Sequence, residues 1–197
     1  MAQQGMPNII ELYEGAVKSM LPILGGVKPA QLTNSTSCTE WNVQSLINHQ
    51  IKVAQFLHTV VSESGKPEPS SMYAVDESIT ASGAAAAFEA ATKRVLDTLK
   101  APGAVEKVVE TGMPMGPTPA GRFAMFPFLD IVIHKWDLAK GTNQDTSIDS
   151  SLAEVSYAAL SQAIEGARQS GAIGPEVQVS MSASIQDKLL GLSGRQP

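Results

Sequence analysis

The chain contains only three histidines, His49, His58 and His134, and at least two of them fall inside apolar stretches of helical period, where an imidazole ring needs a polar partner. Asp130 and His134 are four residues apart, a spacing that stacks two side chains one turn above another on one helix face, close enough to share an ion. A third group from a second helix, His49, completes a set of two histidines and one carboxylate. That donor set holds a divalent metal ion while leaving coordination positions open for water or substrate. His58 follows His49 by nine residues; about 900° of helical rotation leaves it half a turn off, so it is expected on the opposite face, toward solvent. Asp137, three residues after His134, lies nearly on the same stripe as Asp130 and His134 and is expected to accept the ring N–H of a ligand, or to serve as an alternative ligand. The competing structural reading is a pair of hydrogen-bonded core histidines and an ordinary Asp–His helix pair. Cys38 reads as a small buried residue rather than a nucleophile, because no histidine lies near it in sequence. Trp41 and Trp136 read as core aromatics flanking the proposed site.

These residues must be held by helices. Ile9, Ile10, Tyr13, Ala16, Val17, Met20, Leu21 and Leu24 recur with helical period, and Gly25-Gly26 is expected to end that helix through a left-handed cap. Asn42 is a good N-cap for a second helix from about Val43 to Ser62, which carries His49. The stretch from Ser64 to Ser71, rich in Pro, Gly and Ser, reads as a surface loop. Ala84 to Leu99 forms a third helix with a narrow apolar face, ended by Pro102-Gly103. Val105, Val108 and Val109 allow a short strand in an irregular crossover whose Gly112, Pro114, Gly116, Pro117 and Pro119 forbid regular structure afterwards. A fourth helix over about Ala120 to Lys140 carries Asp130 and His134; Pro127 is expected to kink or start it, and Gly141 to close it. Ser151 and Glu154 make a capping-box pattern for a fifth helix reaching about Gln169. The remaining tail reads as less regular.

Bulk composition limits the partners. A length of 197 residues, 43% hydrophobic and 17% charged, suits one folded domain over residues 1–197. Lys plus Arg number 14 against 19 acidic residues, and no basic run exceeds Lys93-Arg94, which argues against nucleic acid. The single cysteine points to a reducing cytoplasm. No stretch approaches the roughly 20 apolar residues that span a bilayer, and no basic residue precedes the first apolar ones, so neither membrane insertion nor export is expected.

Two separated motifs carry a resemblance. Ser37-Cys38-Thr39-Glu40-Trp41-Asn42-Val43-Gln44-Ser45-Leu46-Ile47-Asn48-His49 resembles the Cys-x-x-Trp-x-Val-x-x-Leu-x-x-His signature of DinB-like metal-binding bundles, in the branch of mycothiol-dependent maleylpyruvate isomerase. Asp130-Ile131-Val132-Ile133-His134-Lys135-Trp136-Asp137-Leu138-Ala139, followed by Gly141, resembles that branch's second motif. The tail Gln186-Asp187-Lys188-Leu189-Leu190-Gly191-Leu192-Ser193-Gly194-Arg195 is similar to the ending of a small single-domain subfamily described as metal-binding. The resemblance implies a mostly all-α, antiparallel four-helix bundle with an irregular crossover and a short C-terminal extension. It also implies one divalent ion, usually zinc and sometimes nickel, between helices two and four. By the same resemblance the ligands fall on His49, Asp130 and His134, with Asp130 standing where maleylpyruvate isomerase carries Glu.

The function then expected is that of a metal-dependent transferase or isomerase. Its metal binds a low-molecular-weight thiol such as mycothiol as thiolate and presents it to an electrophilic small molecule. Asp137 would orient a ligand, and Arg122 or Lys52 would meet a carboxylate of thiol or substrate. The alternatives are a metal-dependent hydrolase that activates water at the same site, and a stress or ligand-capture protein that binds metal without catalysis. A homodimer is compatible with any of these.

Overall fold

A computed structural model describes residues 8–39, 41–76, 81–169 and 171–197. Glu40, inside the first motif, and the residues before Asn8 lie outside the described residues.

Among the described residues six α-helices and one minimal hairpin carry the fold, with two short 3-10 turns between them: α1 Ile9–Gly26, α2 Val43–Ser62, α3 Ala81–Leu99, β1 Val108–Val109, β2 Thr118–Pro119, α4 Ala120–Gly141, α5 Ser150–Gln169 and α6 Ile185–Leu192. Each of α1 and α2 packs against both α3 and α4, so four long helices close a ring around one core. The apolar periodicity explains this: Tyr13, Met20 and Leu24 of α1, Leu46, Ile47 and Leu57 of α2, Phe88 of α3, and Phe123 and Phe128 of α4 are all fully buried. The neighbours α2 and α4 run antiparallel, with a Cβ at Gly141 falling 3.4 Å from Val43 at one end and Phe56 meeting Phe123 edge-on at 6.1 Å toward the other. An ion pair between Glu14, early in α1, and Lys100, just past the end of α3, fixes the same sense for α1 and α3. α5 and α6 pack on each other, with α5 resting on α4 and α1. Among the described residues no helix is long and apolar enough to cross a membrane.

The expected all-α bundle is thus what forms, and several local details differ from expectation. Gly25-Gly26 does not cap α1 in a left-handed conformation: the helix runs through Gly26 and ends at the extended Val27. Gly26 is instead a contact point, where a Cβ would fall 2.1 Å from the Gln144 side-chain oxygen. Gln144 uses that approach to donate to the Ile23 carbonyl at 2.9 Å. α4 does end at Gly141 as expected, but the left-handed residue that follows is Asn143, φ 55°, a residue that tolerates this region through its short polar side chain. Pro127 sits inside α4 without ending it. Pro119 pairs in β2 opposite Val108, tolerable because a two-stranded ribbon is all edge and needs no donor there. The start of α5 is capped by Asp149, whose Oδ1 accepts from Ser151 N at 2.9 Å and Leu152 N at 3.2 Å, rather than by Ser151. The tail is ordered: Ser184 caps α6 by accepting from Asp187 N.

The loop between α1 and α2 is tied to the end of α4. Asn34 Nδ2 donates to the Gly141 carbonyl at 3.0 Å and Gln31 Nε2 to that of Thr142 at 2.8 Å, while Val43 N and Gln44 N donate back to the Asn34 and Leu32 carbonyls. A Cβ on Gly141 would lie 3.0 Å from the Ser35 carbonyl. These bonds lay Cys38 and Trp41 over the C-terminal half of α4.

Candidate metal centre

His49 reaches inward from α2 and Asp130 and His134 from α4. One ligating atom from each lies within 4.8 Å of the other two. His49 Nε2 and His134 Nε2 each stand 3.3 Å from the same oxygen, Asp130 Oδ1. Both histidines are buried, and the Asp130 side chain is 12% exposed.

The other nitrogen of each ring is already committed. His49 Nδ1 lies 2.8 Å from the Met72 carbonyl, which only accepts, so that nitrogen carries the proton. His134 Nδ1 lies 2.8 Å from Asp137 Oδ2, and the buried carboxylate sets the same tautomer. Two Nε2 lone pairs and a carboxylate oxygen therefore converge on one point, a cluster of acceptors that a cation or a shared proton must neutralise. Burial alone would raise the pKa of Asp130, yet the facing His134 and His49 rings hold it well below the ordinary carboxylate range. Burial works against charge on His134, and Asp130 and Asp137 outweigh it, holding its pKa well above that of a free histidine. An ion that displaces the proton held between Asp130 and His134 would meet two imidazole nitrogens and one carboxylate oxygen, a set that a borderline ion such as zinc takes.

Aromatic rings wall the cluster. The Trp41 ring packs on His49 with centroids 4.3 Å apart and lies 6.1 Å from His134. Tyr73 stands 5.9 Å from His49 and is 55% exposed, marking the open side. A 3-10 turn over Pro69–Tyr73 supplies both Tyr73 and the Met72 carbonyl, so part of the stretch read as plain surface loop packs onto α2.

Asp137 is fully buried and saturated. Its Oδ2 accepts from His134 and from Arg195 Nη2 at 2.9 Å, and its Oδ1 faces Arg195 Nε at 3.3 Å. Burial opposes ionisation, but the His134 bond and the Arg195 charge bring its pKa down to about 2. Cys38 belongs to the same group: Sγ lies 3.4 Å from Asp137 Oδ2, 3.7 Å from His134 Nδ1 and 3.2 Å from Arg195 Nη2. Cys38, His134 and Asp137 also have metal-ligand spacing, but the Arg195 guanidinium already supplies the positive charge there.

The structure brings His49, Asp130 and His134 together and sets Asp137 behind His134. It does not bring in Arg122, which is exposed in the first turn of α4, two turns before Asp130. Lys52 lies half-buried one turn after His49. His58 points away from the cluster as expected, but is half-buried in a groove between α2 and α3, with Gln55, Ala87 and Arg94, because the face opposite His49 is covered by α3. Trp136 is buried, with Lys140 Nζ 4.3 Å from its ring. Sequence reasoning missed Gln50, whose Nε2 donates to Asp130 Oδ2 at 2.6 Å, the Met72 carbonyl, Arg195 and the true neighbours of Cys38. Only Arg195 left a signal, as the end of the third motif.

Comparison with known proteins gives the family and the fold. The family described as mycothiol maleylpyruvate isomerase N-terminal domain matches residues 14–139. An uncharacterised protein of Mycobacterium tuberculosis, found alike in strains CDC 1551 / Oshkosh and ATCC 25618 / H37Rv, is 27% identical over 158 residues, 78% of each chain. The crystal structure of the mycothiol-dependent maleylpyruvate isomerase superposes with a TM-score of 0.65 at 17% identity, covering 89% of this chain and 76% of that one. A histidine-to-alanine mutant of that isomerase gives 0.62 at 16% identity with the same coverage. These two structural likenesses show a common fold.

Proposed function

The chain belongs to the mycothiol maleylpyruvate isomerase N-terminal domain family, and from that premise we propose a thiol-dependent metalloprotein, a transferase or isomerase acting on an electrophilic small molecule. His49 Nε2, Asp130 Oδ1 and His134 Nε2 hold one divalent ion, zinc or nickel, in a chain acting as one domain. The observation that carries this reading is the convergence of three acceptor atoms whose rings are both locked by Nδ1 bonds to Met72 and Asp137. When bound, the ion supplies a Lewis acid that keeps a small thiol such as mycothiol deprotonated at neutral pH.

The residues of the chain do the rest. Met72 and Asp137 fix the ring orientations before any ligand arrives, so no ordering cost falls on binding. Trp41 shields the inner side from water, strengthening the electrostatics of the cluster, and Tyr73 offers an exposed ring at the mouth. Arg195 is committed to Asp137 and Cys38 and so belongs to the scaffold of the site.

Elemental analysis of protein purified without chelator or affinity-column nickel tests the ligands: about one zinc or nickel per chain is expected, and none in His49→Ala. Isothermal titration with mycothiol then tests the thiol. Binding that needs the metal supports the proposal, and binding indifferent to it refutes the thiol-on-metal scheme. Substrate turnover with metal but without any thiol would favour activated water, and hence hydrolysis, instead.

A further inference from the structure

Resting on the metal-centre reading above, we infer that Gln50 is a positioning residue that sets which ions the site accepts. It occupies one oxygen of Asp130, so that an ion meets this carboxylate through Oδ1 alone. Consecutive residues of α2 grip the two oxygens of one side chain on α4: His49 Nε2 faces Oδ1 at 3.3 Å and Gln50 Nε2 donates to Oδ2 at 2.6 Å. Because an ionised carboxylate only accepts, the Gln50 amide must present its NH2 group there, which turns its own oxygen the other way. That oxygen is buried and has no hydrogen-bond partner among the described residues.

A buried acceptor left unpaired forfeits the hydrogen bonds it makes to water in the unfolded chain. Met or Leu would fill nearly the same volume without that cost, in a residue only 1% exposed. Packing therefore does not account for glutamine at this position; the N–H on Oδ2 does. With Oδ2 held, the protein offers two nitrogens and one oxygen, a set suited to four-coordinate zinc. With Oδ2 released, Asp130 becomes free to bind through both oxygens, as the larger, oxygen-seeking cations prefer. The amide thus keeps the coordination number low and discriminates against manganese and calcium.

The test compares the wild-type protein with Gln50→Met, each stripped of metal and titrated with zinc, cobalt and manganese. Gln50→Met is expected to bind zinc roughly 10–100-fold more weakly, to narrow the preference for zinc over manganese, and to show a weaker visible cobalt spectrum as coordination rises. Unchanged affinity, preference and cobalt spectrum would overturn the inference. A wild-type protein that takes up no ion would instead overturn the metal-centre reading itself. Should Gln50→Met fail to fold, Gln50→Leu removes the same donor and is measured identically.

Discussion

Asp130 and Asp137 sit on one face of α4, seven residues apart, with His134 between them, yet their surroundings are opposite in kind. Asp137 is fully buried and meets a full guanidinium charge, a ring N–H and a thiol. Asp130 is held on one oxygen by a neutral amide, and its other oxygen faces two imidazole nitrogens whose remaining positions are already bonded. One carboxylate is consumed by the fold, and the other is the one proposed above to hold a metal ion. The difference lies in what surrounds each group rather than in residue type, since a helix gives both the same chemistry and nearly the same direction.

Substitutions can break this comparison. His134→Ala removes the partner common to both carboxylates and should have the largest effect: bound metal falls to none by elemental analysis, with a lowered melting temperature, and retention of metal would end the ligand assignment. Asp137→Leu should cost roughly 3–5 kcal/mol in urea unfolding, because it strands the largely buried Arg195 charge. Asp130→Asn should cost the metal-free protein only about 1 kcal/mol while abolishing metal binding. Equal destabilisation by the two would erase the distinction. Arg195→Ala should cost about 2 kcal/mol, the worth of hydrogen bonds to a charged acceptor, and keep stoichiometric metal. His58→Ala should leave metal content unchanged and alter stability by about 1 kcal/mol or less.

How much of this was legible in sequence follows from what each residue depends on. Asp130 and His134 were readable together because helical period alone relates them, and Asn42 was readable as a cap because its side chain needs only its own helix, accepting from Ser45 N at 2.9 Å. Arg195, in contact with Asp137 from 58 positions away, and Cys38, near His134 across 96, depend on how loop and tail fold back over α4, which no local pattern encodes. Cys38 has no histidine near it in sequence and meets His134 only in space for that reason. Gly26 and Gly141 invited the cap reading because glycine usually buys backbone freedom, but here each admits a neighbouring group where a Cβ would collide. Gln50 was overlooked because a polar residue beside a ligand on an amphipathic helix looks like surface, whereas the bundle encloses α2 on several sides.

The turn over Pro69–Tyr73 has a mechanical consequence. Tyr73, at the open mouth, and Met72, whose carbonyl holds the His49 ring, are consecutive, and two residues on Val75 O accepts from Asn48 at 2.6 Å, one residue before His49 in α2. The turn therefore spans from solvent at Tyr73 to a ring beside the charge cluster at His49. The ring at the mouth and the carbonyl that orients His49 thus belong to one short stretch of backbone, anchored to α2 on both sides of the contact.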